Sequence, residues 1–332
     1  MTAQSLPTPT SLDSEADPML VARAQQRAKE SIVDLVGRTP LVRLATFEKD
    51  CPNVEIWAKC EFMNPGGSVK DRAASQIIRD AIAAGKLTRD KELIDASSGN
   101  TGIAYSLIGG ALGYKVKLVL PENVSWVRKK MSQAFGTTLV FSSEMEGSDG
   151  AIRLCRKLVA EDPERYFYPD QYGNESNPRG HFLTTASEIW EQTAGTVTHF
   201  VAGIGTSGTI MGTGRGLRAK NEQIEVWAVE PDDALHGLEG LKHMESSIIP
   251  DIYKPDELTG IIAMPTDEAW DIADRLSTEA GILVGHSSGA ALGGAVRIAK
   301  KLSAAGKSGV VVTVFPDRAD RYFEAPRPVK TS

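Results

Sequence analysis

Asn64-Pro65-Gly66-Gly67-Ser68-Val69-Lys70-Asp71-Arg72 is a turn rich in Gly and Pro that delivers one lysine to the start of a helix. The residues behind it, Ala73, Ala74, Ile77, Ile78, Ala81 and Ile82, keep apolar helix spacing, and Gly85 supplies a C-terminal stop. Lys70 therefore faces the positive end of a helix dipole, which disfavours its ammonium form. An amine that sheds its proton readily forms a Schiff base with an aldehyde. Most lysines are solvated surface groups. The glycines around this one, and the motifs further along, argue for a different role.

Outward from this stretch, short β-rich runs alternate with helical patterns. Strands are expected over 54–60, 92–96, 116–120, 138–141, 198–202, 226–230 and 310–315. Helices are expected over 71–84, 101–112, 124–135, 148–161, 180–193, 209–220, 266–279 and 288–305. The alternation predicts an α/β fold with mostly parallel sheets, and the continuous apolar strands predict sheets covered on both faces. The longest loop-like stretch, Y-P-D-Q-Y-G-N-E-S-N-P-R over 168–179, falls mid-chain. It suggests one α/β domain over 31–175 and a second over 176–325, with a site in the cleft between them. Residues 1–30 form an N-terminal extension, partly disordered because its start is rich in Ser, Thr, Pro and Asp.

Composition narrows the function. Among 332 residues, acidic side chains outnumber basic ones 43 to 37, with no long Lys/Arg run to attract nucleic acid or an anionic membrane. No apolar run is long enough to span a bilayer, and the N-terminus lacks a secretory pattern. Cys51, Cys60 and Cys155 are scattered, which speaks against a disulfide framework or a zinc site and for structural thiols in a reducing cytoplasm.

Three further motifs sit just before a helix, the first two of them after a β-rich run. Ala96-Ser97-Ser98-Gly99-Asn100-Thr101-Gly102 brings hydroxyls and backbone N–H groups to a helix N-terminus, a site for a carboxylate or phosphate. Alone, it reads equally as an ordinary helix cap. Gly203-Ile204-Gly205-Thr206-Ser207-Gly208-Thr209 lets the backbone approach an anion and adds donors from Thr206, Ser207 and Thr209, which suits a phosphate. It lacks the Lys-Ser/Thr ending of a nucleotide P-loop. In Gly285-His286-Ser287-Ser288-Gly289-Ala290, Ser287 either donates to a ring nitrogen or caps the helix, and His286 is given no role. A phosphate cup, an aldehyde-reactive lysine, a carboxylate loop and a hydroxyl for a ring nitrogen together describe a pyridoxal 5′-phosphate site.

On these motifs the chain resembles the fold-type II PLP enzymes of the cysteine synthase and cystathionine β-synthase family, most of all its cysteine synthase B branch. The resemblance runs from about residue 33 to 325. It includes Gly37-Arg38-Thr39-Pro40-Leu41-Val42, Gln171-Tyr172-Gly173-Asn174, Met211-Gly212-Thr213-Gly214-Arg215 and Glu230-Pro231. It implies that Lys70 holds the cofactor and acts as the proton-transfer base, and that Asn100 meets the ring hydroxyl oxygen. Gly205, Thr206, Ser207, Gly208 and Thr209 would cradle the phosphate, and Ser287 would face the pyridine nitrogen. Ser97, Ser98, Gly99 and Thr101 would grip the substrate carboxylate, with Gln171 closing over it. Ser97 replaces a frequent threonine, Ser207 a frequent glycine, and Lys242 occupies the region of an arginine that contacts the donor.

The implied reaction is β-replacement on O-acetylserine or O-phosphoserine with sulfide or a related sulfur donor, through an α-aminoacrylate, to give L-cysteine. The implied assembly is a homodimer. A cystathionine β-synthase using serine and homocysteine is the alternative enzyme. A non-catalytic partner that kept the fold is the alternative of another class, against which the retained Lys70, Asn100, Thr206, Thr209 and Ser287 argue.

Overall fold

The computed structural model describes residues 30–323. All but the last residue of the expected N-terminal extension lies outside them. The strands are β1 Leu41–Arg43, β2 Val54–Cys60, β3 Glu92–Asp95, β4 Lys115–Pro121, β5 Thr138–Ser142, β6 Tyr166–Phe167, β7 His199–Gly203, β8 Glu225–Pro231, β9 Gly260–Met264 and β10 Gly309–Phe315. The α-helices are α1 Lys70–Ala83, α2 Asn100–Ala111, α3 Trp126–Ala134, α4 Gly147–Glu161, α5 Ser176–Leu183, α6 Thr185–Gln192, α7 Gly208–Arg218, α8 Thr266–Ala280 and α9 His286–Ala304.

Two sheets result. One has four strands in the order β5-β4-β3-β6, all parallel. The other has six strands in the order β1-β2-β10-β7-β8-β9, parallel except for the antiparallel β1 edge. The larger sheet draws strands from both sides of the expected division at 175/176. β2 lies early in the chain but runs beside β10, with Gly309 opposite Val54 and Phe315 opposite Cys60. The larger sheet therefore needs strands from both ends of the described chain.

The strand pleat explains the burial. In β10, Val311 and Phe315 face one core with α8 and α9, while Val312 and Val314 face another with α6 and α7. In the smaller sheet Leu93 and Leu118 pack toward α1 and α2, and Ile94 and Val119 pack toward α4. Each such fully buried side chain contributes about 1.5–3 kcal/mol of burial free energy.

Three strands escape the sequence pattern. β1 and β6 are only three and two residues long, too short to show a period, and β9 is an edge strand. The single helix expected over 180–193 is two helices, broken where Thr184 leaves helical geometry at φ −114° and ψ −65°. α5 starts inside the expected loop because its Pro178 lies in the first turn, where a missing N–H costs nothing. Cys51, Cys60 and Cys155 are buried free thiols, and burial pushes Cys60 and Cys155 up to about 12, which makes them inert near neutrality. Among the described residues, no helix is long and apolar enough to cross a membrane.

Candidate active site

Lys70 opens α1 at the carboxyl end of the larger sheet. The turn before it is fixed from several sides. Val69 N–H donates to Pro316 O at 2.8 Å, Lys70 N–H to Ser68 Oγ at 3.3 Å, and Gly66 N–H to Asp71 Oδ2 at 2.5 Å. Behind the lysine, Arg72 donates to Glu61 at 2.6 and 2.8 Å and to Glu188 at 2.7 Å through both terminal nitrogens. Lys59 meets Glu188 at 2.7 Å. These buried charges are paired, as burial demands.

The Lys70 side chain enters a cavity whose lining includes Asn100, Gly205, Thr206, Ser207, Thr209 and Ser287. Seven of the expected cofactor residues, Lys70 among them, thus share one space of about 540 Å³, its open mouth included. Burial lowers the pKa of the Lys70 ammonium, and the nearby Asp317 carboxylate opposes that shift. An amine in this setting loses its proton more easily than a solvated lysine.

The loop between β7 and α7 has the shape of an anion cradle. A Cβ at Gly205 would fall on the carbonyl oxygen of Gly240, so only glycine lets these two backbones approach. Ser207 takes the left-handed conformation at φ +70°, which turns the chain into the helix. Its Oγ is buried without a hydrogen-bond partner. Thr206 Oγ1 accepts from Asn177 Nδ2 at 3.1 Å, and Thr209 Oγ1 lies 3.3 Å from His181 Nε2. His181 is held neutral, at about 3, first by burial and then by the charge of Arg72. An orphaned buried hydroxyl at a helix N-terminus fits a phosphate.

Ser287 lies in the first turn of α9, and the N-cap position is Gly285, which settles the capping alternative against Ser287. His286 stacks on Trp270 with ring centroids 3.5 Å apart, so packing accounts for it.

None of the expected substrate residues lines this cavity; those of the 97–101 loop flank Asn100, which does. Ser97 Oγ accepts from Gly102 N–H at 3.1 Å, and Thr101 Oγ1 donates to Gln171 Oε1 at 2.8 Å. Gln171 O accepts from Asn177 Nδ2 at 2.8 Å, so one asparagine ties the Ser97–Ser98–Gly99–Thr101 loop to the phosphate cradle. Gly208 begins α7 behind the cradle. Lys242 is further out, its Nζ 5.2 Å from the centre of the Tyr172 ring. Burial lowers its pKa, and Asp149 opposes this.

Sequence reasoning missed Asp317. Its Oδ2 accepts from Asn100 Nδ2 at 2.6 Å and from the Tyr322 hydroxyl, while Oδ1 is buried and unpartnered. Arg321 donates to Asn100 Oδ1, so both ends of that amide are fixed. Burial raises the pKa of Asp317, against the Tyr322 and Asn100 donors and the Arg321 and Lys70 charges. A Cβ at Gly285 would overlap Asp317 Oδ1, so glycine makes room for the carboxylate. The available signal was position, since Asp317 follows β10 at the end of the sheet where ligands bind in open α/β folds.

The family described as "Pyridoxal-phosphate dependent enzyme" matches residues 32–317. A "Cysteine synthase" of Aquifex aeolicus is 50% identical over 300 residues, covering 90% of this chain and 92% of that protein. A "Cysteine synthase B" of Escherichia coli is 36% identical over 288 residues, covering 87% and 92%. The crystal structure of a cysteine synthase from Entamoeba histolytica superposes with a TM-score of 0.87 at 33% identity, over 98% of this chain and 96% of that one. An "O-acetylserine dependent cystathionine beta-synthase" from Helicobacter pylori gives 0.82 at 33% identity, over 91% and 99%.

Proposed function

The chain belongs to the pyridoxal-phosphate dependent enzymes, and from that premise we propose that it makes L-cysteine by β-replacement on an O-activated L-serine, with sulfide or a related sulfur donor. The observation that carries this reading is the convergence of Lys70, the 205–209 cradle, Asn100 and Ser287 on one cavity. When bound, the cofactor supplies an aldehyde for the amine and an electron sink for the bonds at Cα of the substrate.

The residues supply the rest. Ser207 Oγ and the α7 N-terminus hold the phosphate, and Asn100, fixed by Asp317 and Arg321, orients the ring hydroxyl oxygen. Ser287 meets the ring nitrogen as a neutral partner. Ser97, Ser98, Thr101 and the Gly99 backbone bind the donor's carboxylate, with Gln171 joined to Thr101 as the closing contact. Lys242 stands ready for an anionic donor group or nucleophile. Lys70 Nζ, with its pKa lowered, takes the Cα proton and later returns one. Closing the loop excludes water from the reacting carbon.

Two further features belong to this reading. The exposed Val42 on the edge strand β1, and the exposed Ile32 and Leu35 of the turn that precedes it in the chain, support a homodimer. The free cysteines suit a reducing cytoplasm.

Lys70→Ala is expected to abolish turnover and the visible absorption of the holoenzyme, and retention of both would refute the lysine's role. Ser98→Ala or Thr101→Ala is expected to raise KM for the donor about tenfold while cofactor stays bound, one lost charge-assisted hydrogen bond. Loss of cofactor instead would show that the two loops have exchanged roles. Offering homocysteine in place of sulfide tests the cystathionine reading directly.

A further inference from the structure

Asp95 ends β3, two residues before the Ser97–Ser98–Gly99 loop. It is 3% exposed. Its Oδ1 accepts from Ala96 N–H at 2.9 Å, and its Oδ2 is buried with no hydrogen-bond partner. The groups around it carry no compensating positive charge. Tyr105 of α2 and Cys155 of α4 feel its field, as do Tyr168 and Tyr172 from the segment after β6. Asp170 of that segment adds a negative charge. On the neighbouring β4, Lys117 is bound by Glu92 at 2.9 Å. Arg156 of α4 acts on Tyr168 and Cys155. The buried Tyr105 hydroxyl is likewise unpartnered.

A buried carboxyl with one bare oxygen and no cation is stable only when protonated. Burial, reinforced by Asp170, pushes Asp95 up to about 7. The loop it carries binds a carboxylate in the reading above, and two residues span at most about 7 Å. An ionised Asp95 would therefore repel the substrate's own carboxylate at short range.

We propose that Asp95 is a positioning residue, kept as a neutral carboxylic acid beneath the carboxylate loop, and that its ionisation sets the alkaline limit of amino-acid binding. The inference rests on the reading of the 97–101 loop as the carboxylate site. It adds a titrating group that does not touch substrate or cofactor.

The test uses the holoenzyme and two readouts. The first is inhibition by propionate, a carboxylate without an amine, competing with the donor between about pH 6 and 9. For the wild type the propionate Ki is expected to rise toward a limit of ~tenfold per pH unit once Asp95 ionises. Asp95→Asn is expected to flatten that rise. Asp170→Asn removes a charge that raises the Asp95 pKa, so the rise should begin at lower pH. The second readout is infrared detection of protonated carboxyls, in which Asp71, also pushed up to about 7 by burial, contributes a band of its own; the Asp95 band is the intensity that bleaches as pH rises and that Asp95→Asn lacks.

An unchanged rise in Asp95→Asn, or an unmoved one in Asp170→Asn, overturns the inference. Absence of the infrared band overturns it without relying on activity, even where Asp95→Asn does not fold. Propionate that fails to compete at any pH would instead sink the carboxylate-loop reading, so the two failures are distinguishable.

Discussion

Ser207 is strained for a reason that concerns the ligand. At φ +70° it occupies backbone space that a side chain disfavours, and its Oγ is buried without a partner. Both penalties are offset if the hydroxyl donates to an anion held by the loop. Ser207→Gly should therefore stabilise the cofactor-free protein by about 1 kcal/mol, read as a higher urea midpoint with unchanged slope. The same change should weaken cofactor retention by about 1 kcal/mol, one hydrogen bond, in a dialysis measurement. At this scale the sequence was most readable where residue type and turn coincide. Lys70, Asn100, Thr206, Thr209 and Ser287 were identified from their motifs and do line one cavity. Asp317 was not identified, because an aspartate in Pro316-Asp317-Arg318 resembles any turn residue until β10 is placed beside β2.

α1 carries Lys70, the proposed base, and its orientation depends on charges that no helical pattern reveals. Arg72 is tied to Glu61 on the segment after β2 and to Glu188 on α6, which also holds Lys59 of β2. Removing one member leaves the others buried and unmatched, so Arg72→Ala should cost about 3–5 kcal/mol in urea denaturation. Hydrogen bonds and charges from Arg72 and Lys59 hold Glu188 at about 2 despite burial, which acts the other way. Its folded pKa lies below its ordinary value, so it contributes stability that is complete above about pH 4.5 and is lost as pH falls toward 2. Glu188→Gln should therefore be less stable than wild type at neutral pH, with the gap narrowing in acid. A gap that stays constant from pH 6 to about pH 3 would remove Glu188 from the network. Most helices matched their apolar spacing within two residues, since amphipathic periodicity directly reflects burial. The break at Thr184 was invisible because Phe182-Leu183-Thr184-Thr185 carries no Gly or Pro to mark it, although only α6 turns apolar residues, Ala186 and Ile189, into the core of the larger sheet.

Across the whole molecule, what the sequence withheld was connectivity. β2 and β10 read clearly as strands, yet nothing local says that residues 54 and 309 lie side by side. That pairing places Lys70, at the end of the turn that follows β2, next to Asp317, just after β10, and so builds the floor of the candidate site. The two walls above it belong to different sheets, and an ion pair crosses between them. Arg128 of α3 lies 2.5 Å from Glu239, which lines the cavity from the loop after β8. Glu239 is half exposed, so the pair adds no more than about 1 kcal/mol to stability. Its effect should fall on access to the site. Arg128→Ala and Glu239→Ala should each leave the urea midpoint nearly unchanged while accelerating release of product from the holoenzyme, and the double variant should release no faster than either single one. High salt should speed release in the wild type and leave the variants unaffected, because only an intact partly solvated ion pair is screened. Additive effects of the two substitutions would mean that the contact is incidental and that the walls are held together elsewhere, with the Thr101–Gln171–Asn177–Thr206 chain of hydrogen bonds the next connection to break.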